Sequence, residues 1–231
     1  MKECIILAGG FGTRLQSVVS DVPKCMAEVA GKPFLHLLFD YLEKYKFDHI
    51  VLSLGYKADI VIDWLDTQKR IFDISYVIES SPLGTGGAIR FAFQKVKGKE
   101  AFIINGDTFF DLDMDSLSDF HYSKKADISI ALKFMTDFDR YGSVEVDNDM
   151  RITRFNEKKY CNKGLINGGV YVVKKDVFSK LDLPEVFSFE KDIMESHLND
   201  IKIYGCRLDN YFIDIGIPSD FEKANKDFAS R

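Results

Sequence analysis

Glu3-Cys4-Ile5-Ile6-Leu7-Ala8-Gly9-Gly10-Phe11-Gly12-Thr13-Arg14-Leu15 carries the residues that decide the fold. The apolar run from Glu3 to Leu7 reads as a buried strand, and it breaks at once into a segment with three glycines. An open α/β sheet places its ligand crevice at this point, just outside the carboxyl end of a strand. Glycine tolerates positive φ and leaves successive amide N–H groups free to cradle phosphate oxygens, and Arg14 can add charge-assisted hydrogen bonds. Leu7, Ala8, Gly9, Gly10, Gly12, Thr13 and Arg14 are accordingly candidate nucleotide-binding residues, with Lys24, after Pro23, as a further point charge. Two other phosphate motifs fail on spacing. A dinucleotide fingerprint calls for glycine where Leu15 stands, and a Walker loop calls for Gly-Lys-Ser/Thr where this chain has Gly31-Lys32-Pro33. An ordinary glycine turn is the competing reading.

Outward from this strand, similar runs occur at Ile50–Leu54, Ile74–Ile78 and Ala101–Ile104. Between them Phe34, Leu37, Leu38, Tyr41, Leu42 and Tyr45 recur at spacings of three and four, as do Ile60, Val61, Trp64 and Leu65, the pattern of amphipathic crossover helices. The first 110 or so residues thus predict a doubly wound βαβ sheet. After Asp107 strand-like runs follow one another at Ile128–Phe134, Ser143–Val146, Ile152–Phe155 and Gly169–Val173 without full helices between several of them, which predicts a mixed sheet. Phe178–Leu181, Phe187–Leu198 and Ser219–Phe228 read as helices, and Lys202–Cys206 as one more strand.

Composition narrows the function. With 231 residues, 46% of them hydrophobic, the chain can bury one large core, and no low-complexity linker divides it. A formal charge of -5 opposes a nucleic-acid surface, while a small anionic substrate needs only a few local cations. Four scattered cysteines and four histidines form no ligand-spaced set for zinc. The N-terminal apolar run is too short for a signal peptide, and no stretch approaches the ~20 apolar residues of a membrane span, so a cytoplasmic protein without membrane partners is expected. The 20 Phe and 10 Tyr leave room for a homodimer.

Further candidates lie at strand ends. Asp107, in Asn105-Gly106-Asp107, stands on the crevice side of the fourth strand, where a hard cation bridging phosphates can bind. Asp214 sits alone in Phe212-Ile213-Asp214-Ile215-Gly216, where an unpaired charge is costly, and Mg²⁺ is one partner that would relieve it. Either aspartate also fits a simple cap. In Glu79-Ser80-Ser81-Pro82-Leu83-Gly84-Thr85-Gly86-Gly87-Ala88 a glycine-rich loop admits a flat base, with Gly84 and Thr85 beside it. The Glu79 carboxylate can accept both N1–H and N2–H₂ of guanine, which favours GTP; a solvated strand end is the alternative. Glu157, Lys158, Asn167, Gly168 and the loop at Gly142 are candidates for sugar and sugar phosphate, although a Glu-Lys pair is more often plain surface. Cys25 lacks a nearby histidine in sequence and reads as structural.

Leu7–Leu15, Pro23-Lys24, Pro82–Gly86, Asn105–Asp107, Glu157-Lys158, Asn167–Gly169 and Asp214 together resemble the nucleoside-diphosphate-sugar pyrophosphorylases, from residue 1 to about residue 224. The resemblance implies an α/β fold of the nucleotide-diphospho-sugar transferase type, a Rossmann-like, mostly parallel mixed sheet flanked by helices with a small sugar-binding lobe. It implies a single domain over 1–231, with a nucleotide-binding half to about 110 and a sugar-binding half from about 111. It further implies joining of a sugar 1-phosphate to a nucleoside triphosphate with release of pyrophosphate. By similarity, Mg²⁺ would sit on Asp107 and Asp214, with Arg14, Lys24, Asp107 and Lys158 as the catalytic set. Pro23–Met26 and Gly31–Leu35 are similar to the D-glycero-α-D-manno-heptose 1-phosphate guanylyltransferases of bacterial surface-glycan synthesis. Gln16-Ser17, Cys25 and Lys159 depart from the broader pattern, which usually has Pro-Leu, Pro and Pro there. Uridylyl, thymidylyl, cytidylyl or mannose 1-phosphate guanylyl transfer, or a binding protein without turnover, are the competing functions.

Overall fold

The computed structural model describes residues 1–10, 15 and 18–230. Strand β1 (Glu3–Ala8) lies at the centre of a parallel group with β4 (His49–Leu54), β5 (Asp73–Ile78) and β6 (Glu100–Asn105). The chain runs outward from β1 to β4 to β5 and then returns to lay β6 on the other side of β1. Strand order therefore reverses at β1, and the carboxyl ends of β1 and β6 bound the crevice such a reversal leaves.

Helices supply the crossovers. A short hairpin of β2 (Glu28–Val29) and β3 (Lys32–Pro33) precedes α1 (Phe34–Lys44); α2 (Ala58–Leu65) joins β4 to β5, and α3 (Gly84–Ala92) joins β5 to β6. Beyond β6, β7 (Thr108–Phe110) and α4 (Met114–Lys124) lead into β8 (Ile128–Phe138), β9 (Ser143–Val146), β10 (Ile152–Phe155) and β11 (Cys161–Lys174). β11 runs antiparallel to β6 over Val170–Lys174 and to β8 over most of its length, so the sheet is continuous from the parallel group into the antiparallel one. α5 (Val177–Lys180), a π-helical turn at Phe189–Glu195, β12 (Ile203–Arg207), β13 (Phe212–Asp214) and α6 (Pro218–Ala229) complete the order. The nine-stranded sheet matches the mixed α/β expectation.

Side-chain alternation sorts the core into two layers. Cys4, Ile6 and Ala8 of β1, with Leu52 and Ile104, pack under α1, α2, α4 and α6. Ile5, Val51 and Ile103 point to the opposite face, under α3, α5 and the π-helical turn. Every residue of β4 is buried, as the continuous apolar run predicts for a strand covered on both faces.

Two elements differ from the expectation. The stretch read as a helix over 187–198 is π-helical and starts only at Phe189, because Phe187 is held as irregular chain against α3: its carbonyl accepts from Gly86 N at 3.0 Å and Gly87 N at 3.3 Å. The segment read as a glycine-rich loop at 84–87 is instead the first turn of α3. Its glycines serve close packing, since a Cβ on Gly86 would fall 2.2 Å from the Phe187 ring.

Candidate active site

The carboxyl ends of β1 and β6 open into a cleft of about 570 Å³, a volume within the range of small-molecule sites. Leu7, Ala8, Gly9 and Gly10 form one wall; Asn105, Gly106 and Asp107 form another; Glu79, Gly84 and Thr85 reach it from β5 and α3. The walls meet closely because they lack side chains. A Cβ on Gly106 would lie 2.6 Å from Leu7 O, and one on Gly55 would lie 2.9 Å from Gly9 O. Gly12, Thr13 and Arg14, predicted to cradle phosphate, lie outside the described residues.

Lys24 and Asp107 meet in the cleft, with Nζ 2.6 Å from Oδ2. Lys24 arrives from a 3₁₀ turn at Lys24–Met26, fixed by hydrogen bonds from Met26 N to Pro23 O and from Ala27 N to Lys24 O. Asp214 is drawn to the same place by a two-stranded ribbon. β13 runs antiparallel to β7 with Asp214 opposite Thr108, and Ile215 N donates to Asp107 O at 2.9 Å. Residues more than a hundred positions apart are thus joined through the main chain. The point where a Cβ on Gly216 would stand is 2.7 Å from Asp214 Oδ1 and 3.1 Å from Lys24 Nζ, so glycine there keeps the lysine and the second acid close.

Electrostatics follow from that crowding. Burial, followed by the negative charge of Asp107, raises the Asp214 carboxyl above the usual aspartate range; the Gly216 amide at 2.7 Å, Lys24 and Arg140 pull it back only in part. Arg140 itself is held by Asp220 at 2.5 Å. Cys25 lines the cleft but is 2% exposed, and burial with the nearby Asp107 charge pushes its thiol up to about 12. It stays protonated and is not a nucleophile, in keeping with the structural reading.

Glu79 lines the cleft with both oxygens engaged: Oε2 accepts from Leu83 N at 3.0 Å and Oε1 from Ser53 Oγ at 3.3 Å. An ionised carboxylate has about four acceptor positions, so one on each oxygen is left for a ligand. Thr85 Oγ1 accepts from Phe189 N at 2.8 Å and donates to Glu190 Oε2 at 2.7 Å.

The residues expected to hold the sugar are not among those lining this cleft. Glu157 and Lys158 stand exposed after β10, and Lys158 makes no ion pair among the described residues. Gly142 is required by packing, since a Cβ would lie 2.4 Å from Asn156 O. Asn167 occupies a bulge in β11: its Nδ2 donates to the Tyr171 hydroxyl at 2.8 Å and its Oδ1 accepts from Gly169 N at 2.9 Å. Gly168 faces Phe110 of β7, and Gly169, at φ +70°, lies against the Asn105 side chain, so this bulge abuts the strand pair that carries the two aspartates.

Residues 3–231 match the model of the nucleotidyl transferase family. The chain belongs to that family. As a nucleotidyl transferase it is similar to two D-glycero-α-D-manno-heptose 1-phosphate guanylyltransferases. One, from Aneurinibacillus thermoaerophilus, is 48% identical over 97% of both chains. The other, from Campylobacter jejuni, is 44% identical over 95% of this chain and 96% of its own. Among solved structures it is similar to HddC from Yersinia pseudotuberculosis complexed with GMP-PN, with a TM-score of 0.87 and 38% identity over 99% of this chain and 100% of that one. The enzyme is thus a nucleotidyltransferase of mixed α/β fold, as the motif set implied.

Sequence reasoning missed Gly55, Tyr56 and Glu190, all of which line the cleft. Gly55 directly follows a strand, as Gly9 does, and the same reasoning would have found it. Glu190 has no comparable mark, because it reaches the cleft only through the packing of Phe187 on α3.

Proposed function

We propose that the chain transfers the guanylyl group of GTP to D-glycero-α-D-manno-heptose 1-phosphate, yielding GDP-heptose and pyrophosphate. What supports this most is near-full-length identity of 48% to a guanylyltransferase for that sugar phosphate, together with the Lys24–Asp107–Asp214 arrangement at the strand-order reversal. On this reading the first half of the chain, to about residue 110, holds the nucleotide and the second half the sugar. It carries with it a cytoplasmic enzyme whose product serves surface-polysaccharide assembly.

In the reaction, an oxygen of the sugar phosphate bonds to the α-phosphorus of GTP. The bond from that phosphorus to the bridging oxygen breaks, and pyrophosphate leaves with the electron pair. No covalent enzyme intermediate is needed, so positioning and charge neutralisation are the protein's contribution. Lys24 neutralises the departing pyrophosphate, with Arg14 as its partner, and Lys158 aligns the attacking phosphate. Glu157, Asn167, Gly142 and Gly168 shape the sugar side. Glu79 reads guanine through its remaining acceptor positions.

Asp107 and Asp214 fit Mg²⁺. They offer hard oxygen donors in proximity, one of them lifted by the charge of the other, and magnesium binds through one or two carboxylates plus substrate phosphates and water. No group of three or more metal-binding side chains occurs among the described residues, and this two-carboxylate mode does not need one. Asp107 and Asp214 would hold the ion, which would supply positive charge to offset that of the triphosphate.

The test is a panel of GTP, UTP, dTTP and CTP against heptose, mannose and glucose 1-phosphates, with released pyrophosphate counted. GTP with the heptose phosphate should give the highest kcat/KM. A higher value with another pair would replace the substrate assignment, and guanine-nucleotide binding without pyrophosphate from any pair would make the chain a non-catalytic binder. Glu79→Gln should lose the preference for GTP over UTP by about tenfold or more, the scale of a lost charge-assisted hydrogen bond. An unchanged preference would remove Glu79 from base reading.

A further inference from the structure

A second cavity, of about 890 Å³, opens where the end of α3, the start of β6, the end of β11 and α5 meet. It is separate from the cleft: Glu100 in the cavity and Asn105 in the cleft are the two ends of β6, roughly 16 Å apart at the rise of a strand. Four basic residues, Arg90, Lys99, Lys174 and Lys175, line it against two acids, Glu100 and Asp176. Both acids are answered from outside: Glu100 accepts from the Tyr122 hydroxyl, and Asp176 pairs with Lys180 at 3.0 Å.

The lysines are less committed. Among the described residues Lys175 Nζ reaches only Val96 O, at 3.2 Å, and Lys174 Nζ stands 3.9 Å from Asp127. The Lys99 ammonium has no partner among the described residues. Among the lining residues Phe178 is half-buried and packs on the buried Phe93, with ring centroids 5.4 Å apart, so Phe178 is the aromatic surface the cavity offers. Uncommitted cations lining the same cavity as a half-buried aromatic ring suit a ligand that is phosphorylated at one end and flat at the other.

The cavity is also mechanically connected to the cleft. α3 has its first turn in the cleft, at Gly84 and Thr85, and its last turn in the cavity, at Arg90. Arg90 donates to the carbonyls of Leu183 at 3.3 Å, Pro184 at 2.8 Å and Glu185 at 3.2 Å, tying the cavity rim to the segment that leads into Phe187. Phe178 in the cavity packs on Phe187 and Phe189, with centroids 6.4 and 6.5 Å away. Phe189 N in turn holds Thr85 Oγ1, which holds Glu190 in the cleft wall.

We propose that this cavity binds a nucleoside phosphate, with its base against Phe178 and its phosphates among Lys99, Lys174 and Lys175, and that occupancy acts on the cleft through α3 and the 183–190 segment. The site goes beyond the guanylyltransferase reading; GDP binding in the cleft rests on that reading, and the difference between wild type and variant does not.

Titration of the protein with GDP by calorimetry should give two sites per chain for the wild type and one for Lys99→Glu/Lys175→Glu. Equal numbers of sites in the wild type and the double variant overturn the proposal, whatever the cleft itself binds. Should the double variant fail to fold, Ser179→Glu places a carboxylate in the same cavity and should likewise remove one site. Inorganic pyrophosphate should occupy the second site about tenfold more weakly than GDP, having no base to stack; equal affinity overturns the assignment of a nucleoside. In pyrophosphate-release assays, a GDP concentration that fills the cavity should raise the wild-type KM for the triphosphate about fivefold beyond the competitive effect retained by the double variant. Identical inhibition of the two proteins overturns the coupling. If no substrate pair releases pyrophosphate, the functional reading fails while the calorimetric stoichiometry still decides the cavity.

Discussion

Asp214 is a single residue set against stability, and the proposed metal site would be the reason. Its carboxyl is buried beside Asp107, and its pKa in the folded protein is raised above the ordinary value. The folded state therefore holds the proton more tightly than the unfolded state, so the contribution of this group is present below about pH 4 and is lost as pH rises through the folded pKa. At neutral pH, without metal, Asp214 is a liability. Asp214→Asn should then raise the Tm of the metal-free protein at pH 7 by a few degrees, keeping the bond from Gly216 N, with the gain shrinking toward pH 4. Its turnover should fall about a hundredfold or more, as when a group that stabilises charge in the transition state is removed. Thermal melts in EDTA and pyrophosphate release measure the two effects; a variant less stable than wild type at pH 7 would show that the carboxylate is not strained. Asp107→Ala should match the loss of turnover. It should also free Lys24, whose ammonium now sits 2.6 Å from Asp107.

At the scale of elements, the ribbon of β7 and β13 brings the two candidate metal ligands together, and it is also the part least legible in the sequence. β1, β4, β5 and β6 could be read because each is a six-residue, largely apolar run. β7 and β13 have three residues each, too short for any periodicity, and they pair across about a hundred positions. Asp214 could be marked as an acid needing company, but nothing in the sequence pointed to Thr108 as the residue opposite it. The sugar side shows the same limit from the other direction. Asn167-Gly168-Gly169 stood out as a motif, and the structure spends it on a bulge in β11 that wedges against Phe110. Gly168→Ala tests that wedge: its Cβ would lie 2.6 Å from the Phe110 ring and 2.8 Å from Ala131 O. The substitution should cost about 1–3 kcal/mol by overpacking and lower kcat by displacing β7. Phe110→Leu in the same background should recover part of both, as a coupled pair does. An unchanged Tm in Gly168→Ala would mean the bulge and β7 are not in register-fixing contact.

For the molecule as a whole, the acid limb of stability should depend on a group far from the catalytic cleft. His121 of α4 is 1% exposed; its Nδ1 meets Ser129 Oγ at 2.9 Å, while Nε2 is buried without a hydrogen-bond partner among the described residues. Burial lowers its pKa to about 4, against the pull of Glu100, whose Oε2 is 3.8 Å from Nε2. Between about pH 6.5 and pH 4 the unfolded chain takes up a proton at this position that the folded chain refuses. The stability it protects is complete above about pH 6.5 and is lost as pH falls through the folded value, amounting to at most ~3 kcal/mol at about 1.4 kcal/mol per pH unit. Asp214 slopes the other way, so the observed limb is the difference of two opposed groups on different elements. His121→Gln can retain a hydrogen bond to Ser129 but cannot take up the proton. Its Tm should sit below the wild type at pH 7, from imperfect packing, and approach or overtake it by pH 4.5, while Asp214→Asn should show its largest gain at the neutral end. Parallel melting curves for wild type and His121→Gln from pH 7 to 4.5 would show that the imidazole does not govern the acid limb, and the buried carboxylates would then have to account for it.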